Sequence, residues 1–214
     1  MKKEIITDNG IYCYEEVELV NGGAYLNPEY CKNNLLDYKK VMDKHNIRYG
    51  LMFGTLLGAI REKGFIVWDE DVDIFSLEED RKKMLNALFH FEEYGFKVAR
   101  YTFKNRCYLL SLMRDGEYID TYFYKKILNS RVFRDNSLDA KYLNSSETIE
   151  FLGDKFPVPS NPKHVLTLFY GEDWNIPNKE GKPMNKTLER RFKNVLRSKV
   201  PSFYKSVKFL LDKS

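Results

Sequence analysis

Trp68-Asp69-Glu70-Asp71-Val72-Asp73-Ile74 sets four carboxylates within five consecutive positions beside a large indole. Its end is the strongest constraint on the fold. On a strand, Asp71 and Asp73 leave one face while Val72 and Ile74 leave the other. Like charges on one face of a sheet repel unless a cation lies between them. Hard oxygen ligands of this kind suit Mg²⁺ or Mn²⁺, with water and substrate phosphate completing the shell. A third carboxylate is then expected from a neighbouring strand. Tyr118-Ile119-Asp120-Thr121-Tyr122 offers Asp120 in an apolar, aromatic segment where an uncompensated charge is costly. Asp71, Asp73 and Asp120 are therefore the candidate metal ligands and catalytic residues, Asp120 as third ligand or general base. The competing reading of Asp120 is an ion pair with Arg114 or Lys125.

The surrounding pattern predicts where these residues sit. Asn27-Pro28 is an N-cap followed by proline at the first helical position, and Cys31, Leu35, Tyr38 and Met42 recur at helical spacing up to His45-Asn46. Ile47 to Phe53 alternates as a strand that ends at Gly54, followed by a helix from Thr55 to Lys63 stopped by Gly64. The acidic strand lies within Phe65 to Phe75. Ser76 and Glu79 then read as a capping box opening a helix that closes at Tyr94-Gly95, with Leu77, Arg81, Met84, Leu88 and Phe91 along one stripe. A strand from Phe96 to about Phe103 leads to two aromatic strands, Tyr108 to Arg114 and Tyr118 to Tyr124, joined at Asp115-Gly116 or by a longer loop that includes Glu117. Ser130 to Ser146 has little periodicity. Thr148 to Val158 reads as a strand pair around Gly153-Asp154, and Asn161-Pro162 opens a helix ending at Tyr170-Gly171. The order predicts an α+β fold with a mixed sheet flanked by helices.

Hydrophobic residues make up 43% of the 214, enough for one core, so residues 1–185 are expected to form a single catalytic domain. The formal net charge of +4 does not call for nucleic acid as a partner. That charge is unevenly placed: residues 186–214 carry nine basic and two acidic side chains, a net of +7, which leaves −3 for the rest. Their apolar residues share a helical face on each side of Pro201. This is the pattern of a basic amphipathic tail able to contact an anionic membrane. No apolar run approaches the ~18–20 residues that cross a bilayer, and the residues after Met1-Lys2-Lys3 are too polar for a secretion signal. The chain is thus expected to be soluble and cytoplasmic, peripheral at the inner membrane face. Cys13, Cys31 and Cys107 lack metal or redox spacing and read as reduced thiols, mostly in the core. The histidines are scattered, which leaves a histidine-based metal site without support.

Gly54-Thr55 closes a predicted strand and opens a helix, where backbone N–H groups and the threonine hydroxyl can hold phosphate oxygens. Arg61 lies further along the same helix and can reach a phosphate bidentately; a surface ion pair with Glu62 or Asp69 is its plainer role. The run from Tyr49 through Gly54-Thr55-Leu56-Leu57-Gly58, Arg61 and Trp68-Asp69-Glu70-Asp71-Val72-Asp73-Ile74 closely resembles the central motif of the LicD family. Phe156-Pro157-Val158-Pro159 through Tyr170-Gly171-Glu172-Asp173-Trp174 is similar to that family's C-terminal elements. The family includes phosphocholine transferases of bacterial surface glycans and, more distantly, fukutin and fukutin-related protein. Val67 replaces the family's usual proline and Glu70 its usual aspartate.

The resemblance implies a nucleotidyltransferase-like fold. It also implies a metal-dependent transfer of phosphocholine or a related phospho-alcohol from a CDP-activated donor to a glycan hydroxyl, with release of CMP. Gly54, Thr55 and Arg61 would bind the phosphates; Trp68, Asp69, Tyr122, Tyr170 and Trp174 would line the substrate site. Trp68, Trp174, Tyr122, Tyr124 and Tyr170 are also candidates for an aromatic surface facing a quaternary ammonium. Two other functions use the same residues: nucleotidyl transfer from a nucleoside triphosphate, and catalytically silent binding of a glycan or nucleotide.

Overall fold

The computed structural model describes residues 2–17, 25–66, 68–104 and 107–177. It opens with an antiparallel hairpin that the periodicity did not reveal, β1 (Lys2–Thr7) and β2 (Gly10–Glu15), tied to the body by paired hydrogen bonds between Asp8 and Asn86. The first helix, α1 (Pro28–Lys44), begins where expected, because the Asn27 side chain accepts the N–H groups of Glu29 and Tyr30. Strand β3 is short (Tyr49–Leu51), and α2 (Phe53–Arg61) starts two residues ahead of Thr55. Lys63, with φ of 58°, takes the left-handed position after α2 that was expected of Gly64.

The acidic strand, β4, spans Val72–Leu77, so Asp71 immediately precedes it. The expected capping box is absent: β4 continues through Ser76, whose hydroxyl donates to the Arg48 carbonyl, and Glu79 is bound by Arg131. A 3₁₀ turn (Glu78–Asp80) leads instead into two short helices, α3 (Arg81–Asn86) and α4 (Leu88–Glu93). Then β5 (Lys97–Lys104), β6 (Cys107–Arg114) and β7 (Glu117–Ile127) run as an antiparallel meander. The β6–β7 joint is a two-residue turn with Asp115 at φ 54° and Gly116 at φ 81°, the mirror-image turn that matches strand twist.

The weakly periodic stretch resolves into β8 (Ser130–Phe133), β9 (Asn136–Asp139) and α5 (Lys141–Asn144). The expected strand pair, β10 (Ser146–Phe151) and β11 (Asp154–Pro159), and the helix α6 (Pro162–Tyr170) complete the described chain. The tail from 186 onward lies outside the described residues.

Strand order in the main sheet is β3-β4-β7-β6-β5, with β8 and β9 extending from β7. Only β4 and β7 pair in parallel along that path, so the sheet is mixed, as expected. Helix α1 covers one face, where the Tyr38 hydroxyl meets Thr121 at 2.8 Å. Residues 120 and 122 alternate with Thr121 and so face the other way. Of the three thiols, only Cys31 is buried and Cys13 is exposed, so the expectation of mostly core cysteines holds for one.

Candidate functional site

Pairing between β4 and β7 decides the site. Asp73 and Asp120 are direct partners in the parallel register, so two carboxylates stand side by side on the face opposite α1. Both are buried. The ion pair of Asp120 is made by Arg100, whose Nη2 donates to Oδ2 at 3.0 Å, and involves neither Arg114 nor Lys125. Ser111 donates to Oδ1 of the same carboxylate. The Tyr122 hydroxyl spans the pair, 2.8 Å from Asp73 Oδ1 and 3.3 Å from Asp120 Oδ2.

Asp73 lies at the start of α2, and its Oδ2 accepts the N–H of Gly54 at 3.0 Å. The helix N-terminus thus serves a carboxylate of the protein itself. At Gly54 a Cβ would displace the carboxylate of Asp69, so the glycine lets that side chain lie against the helix start. Thr55 departs from the phosphate role expected of it. It is 1% exposed, and its Oγ1 accepts the N–H of Asp73 at 2.8 Å, joining α2 to β4.

Burial raises Asp69, Asp71, Asp73 and Asp120 alike, and neighbouring carboxylates add to it at the first three. Burial first, then the charges of Asp120, Asp69 and Glu70, push Asp71 up to about 7. Burial, then Asp71 and Asp69, hold Asp73 well above the usual carboxylate range. Burial pushes Asp69 up to about 6, and raises Asp120 against the opposing pull of Ser111 and Arg100. Carboxyls raised by burial and by one another are groups whose anionic form a multivalent cation would stabilise. The oxygen-only donor set suits Mg²⁺ or Mn²⁺. Among the described residues, however, no three His, Cys, Asp or Glu side chains already converge on one point. Hydrogen bonds within the protein hold Asp73 and Asp120 instead.

The remaining candidates divide. The Tyr170 hydroxyl is buried in the field of Asp73, Asp69 and Asp71, which raises its pKa further. Arg61 Nη1 donates to the Trp174 carbonyl at 3.1 Å and its Nε pairs with Glu62 at 2.6 Å, the plainer of its expected roles. Trp68, Trp174, Tyr122 and Tyr170 are half-buried against the core. Tyr124 is fully buried, so it cannot line an open aromatic surface; its hydroxyl has no hydrogen-bond partner. Sequence reasoning missed Arg100 and Ser111. Ser111 alone left a trace, as the single hydroxyl in Leu109-Leu110-Ser111-Leu112.

The model of the LicD/FKTN/FKRP nucleotidyltransferase domain matches residues 46–161, more than half of the 214. The chain belongs to the LicD family. Within that span lie all three aspartates, α2 and Arg100. The lipopolysaccharide cholinephosphotransferase LicD of Haemophilus influenzae is 38% identical over 69 residues, which cover 31% of this chain and 26% of that protein. An uncharacterized protein of Rickettsia prowazekii is 38% identical over 71 residues, covering 33% of this chain and 27% of its own length. The match therefore spans about a quarter of each of these curated relatives. Among solved structures, the antibiotic-resistance factor ANT(2'')-Ia superposes with a TM-score of 0.50 at 14% identity, over 88% of this chain and 100% of its own. That likeness bears on fold alone, and the fold is nucleotidyltransferase-like, as the resemblance implied. No helix among the described residues is long and apolar enough to cross a membrane.

Proposed function

We propose that this LicD-family chain is a Mg²⁺- or Mn²⁺-dependent phosphotransferase. It moves phosphocholine or a related phospho-alcohol from a CDP-activated donor to a glycan hydroxyl and releases CMP. The observation that supports this reading is the in-register pair Asp73 and Asp120, with Asp71 two residues ahead of Asp73, in a domain whose relative in Haemophilus influenzae is named a lipopolysaccharide cholinephosphotransferase. Asp71, Asp73 and Asp120 would hold the cation. Bound there, it would neutralise charge on the donor diphosphate and on the departing CMP.

The chain's own residues supply the rest. Gly54 and Thr55 fix Asp73 from its side chain and its backbone, so the carboxylate is placed before any ligand arrives. The Arg100 and Ser111 bonds fix the Asp120 carboxylate in place and oppose the burial that raises it, so it stands ready as a third ligand. Trp68, Asp69, Tyr170 and Trp174 form the substrate side of the reading, the aromatic rings offering their faces to a quaternary ammonium. The basic segment 186–214 would meet an anionic membrane where a lipid-linked glycan is presented.

The deciding experiment is product analysis with Mg²⁺ and a glycan acceptor, comparing CDP-choline, CDP-ethanolamine, CDP-glycerol and CDP-ribitol with nucleoside triphosphates. Acceptor-dependent CMP release from one CDP-alcohol is expected. Pyrophosphate release from a nucleoside triphosphate would replace this reading with nucleotidyl transfer, and absence of metal-dependent turnover with any donor would leave a binding module.

A further inference from the structure

The carboxylates belong to a longer row. Arg100 pairs with Ser111 across β5 and β6, Ser111 with Asp120 across β6 and β7, and Asp120 with Asp73 across β7 and β4. Four strands thus contribute one polar residue each to a single line on one face of the sheet.

A β-bulge places the first member. The register of β5 shifts between Val98 and Arg100, so that Ala99 has no partner and Arg100 stands opposite Ser111. Without that extra residue, Ala99 would face Ser111 and the arginine would turn to the other side of the sheet. The bulge is braced from outside, since the Val17 N–H donates to the Ala99 carbonyl at 2.9 Å. From this position Nε of Arg100 donates to Ser111 Oγ at 3.2 Å and Nη2 to Asp120 Oδ2 at 3.0 Å, while Ser111 donates to Oδ1. Each oxygen of Asp120 therefore already accepts a hydrogen bond from this row. The side chain of Arg100 is 33% exposed, at the border between the buried aspartates and solvent.

We propose that Arg100 is a positioning residue that acts as the site's own counter-cation, holding Asp120 so that a divalent cation must compete with the guanidinium for it. The proposal rests on the metal reading given above. The fixed positive charge also opposes a second positive charge nearby, and at the few ångströms involved such an interaction is large enough to shift binding by an order of magnitude. In this arrangement Arg100 keeps Asp120 paired and structured, and a cation arriving without phosphate is bound more weakly than three free aspartates would bind it.

The test uses the full chain without nucleotide. Mn²⁺ dissociation constants are measured at fixed ionic strength by electron paramagnetic resonance for wild type, Arg100→Gln, Arg100→Lys, Asp120→Asn and the Arg100→Gln/Asp120→Asn double variant. Arg100→Gln is expected to tighten Mn²⁺ binding about tenfold. The gain should shrink in the Asp120→Asn background, because the competed carboxylate is gone. Arg100→Lys keeps the charge and loses the planar fork; it should show a smaller gain in the same direction, and it serves as the folded comparison if Arg100→Gln fails to fold. A structural strut would leave Mn²⁺ affinity equal or weaker in both Arg100 variants, which overturns the inference alone. An undiminished gain in the double variant also overturns it, since the effect would not pass through Asp120. Failure of wild type and both Arg100 variants to bind Mn²⁺ overturns it together with the metal reading.

Discussion

The two ends of β4 each bury an aspartate, and they treat it in opposite ways. Just past the C-terminal end, burial pushes Asp80 up, but Arg48 at 2.5 Å and Lys83 at 3.1 Å outweigh it and hold the carboxyl below the usual range. At the N-terminal end, Asp73 receives one backbone N–H and one phenol and shares its surroundings with Asp71, Asp69 and Asp120. Asp80 is neutralised by its own fold and needs nothing more. Asp73 is surrounded by like charge, an arrangement that costs stability and is retained where a cation or substrate later compensates it. The same residue type is thus structural just past one end of β4 and, on the proposed reading, functional at the other.

The largest effect should come from removing charge at the functional end. Asp73→Asn keeps the shape and can still meet Gly54 and Tyr122, so the fold should survive while turnover falls on the order of 10² to 10⁴, since the cation contributes several kcal/mol to the transition state. Rates near wild type in a steady-state assay would erase the distinction between the two ends.

A pH series in EDTA sharpens it. Asp71 and Asp69 titrate near 7 and 6 when folded, above their ordinary values, so the folded state binds protons more tightly than the unfolded chain. Stability should therefore fall as pH rises from about 4 through 7, and Asp71→Asn should flatten that fall. Asp80 behaves oppositely: its lowered pKa contributes stability above the ordinary carboxylate range that is lost as pH falls through the folded value. Asp80→Asn should cost about 1–3 kcal/mol at pH 7 and progressively less in acid, with activity per folded molecule unchanged. Denaturant midpoints across the series check both profiles.

The smallest effect concerns Thr55. Thr55→Val removes the buried acceptor of the Asp73 N–H, so stability should drop by about 1–2 kcal/mol while the folded fraction keeps its affinity for the donor. Wild-type stability with weakened donor binding, read from thermal melts and a donor titration, would restore the phosphate contact expected from sequence.

Local chemistry made much of the frame legible. The Asn27 cap, the mirror-image turn at Asp115-Gly116 and the strand pair around Gly153 each depend on residues within a few positions of one another. Ser76 and Glu79 show the limit of such reading. Their spacing fits a helix start, but pairing of β4 with β7 extends the strand through Leu77, and Arg131, far along the chain, claims Glu79. The hairpin of β1 and β2 was hidden for a related reason, since Lys2 to Thr7 buries only one residue of its six.

By itself the sequence determined which side chains are the candidates for the chemistry, through the Asp71-Val72-Asp73 alternation and the isolated Asp120, and it held a motif specific enough to imply the family that the domain match then established. Side-chain period and the cost of burying charge are local rules, and they act on neighbours in the chain. Tertiary structure alone decided that Asp120 stands beside Asp73, that Gly54 and Thr55 serve Asp73 before any phosphate, and that Arg100 reaches Asp120. Those outcomes depend on strand register, and one extra residue at Ala99 sets which side chain of β5 faces the site.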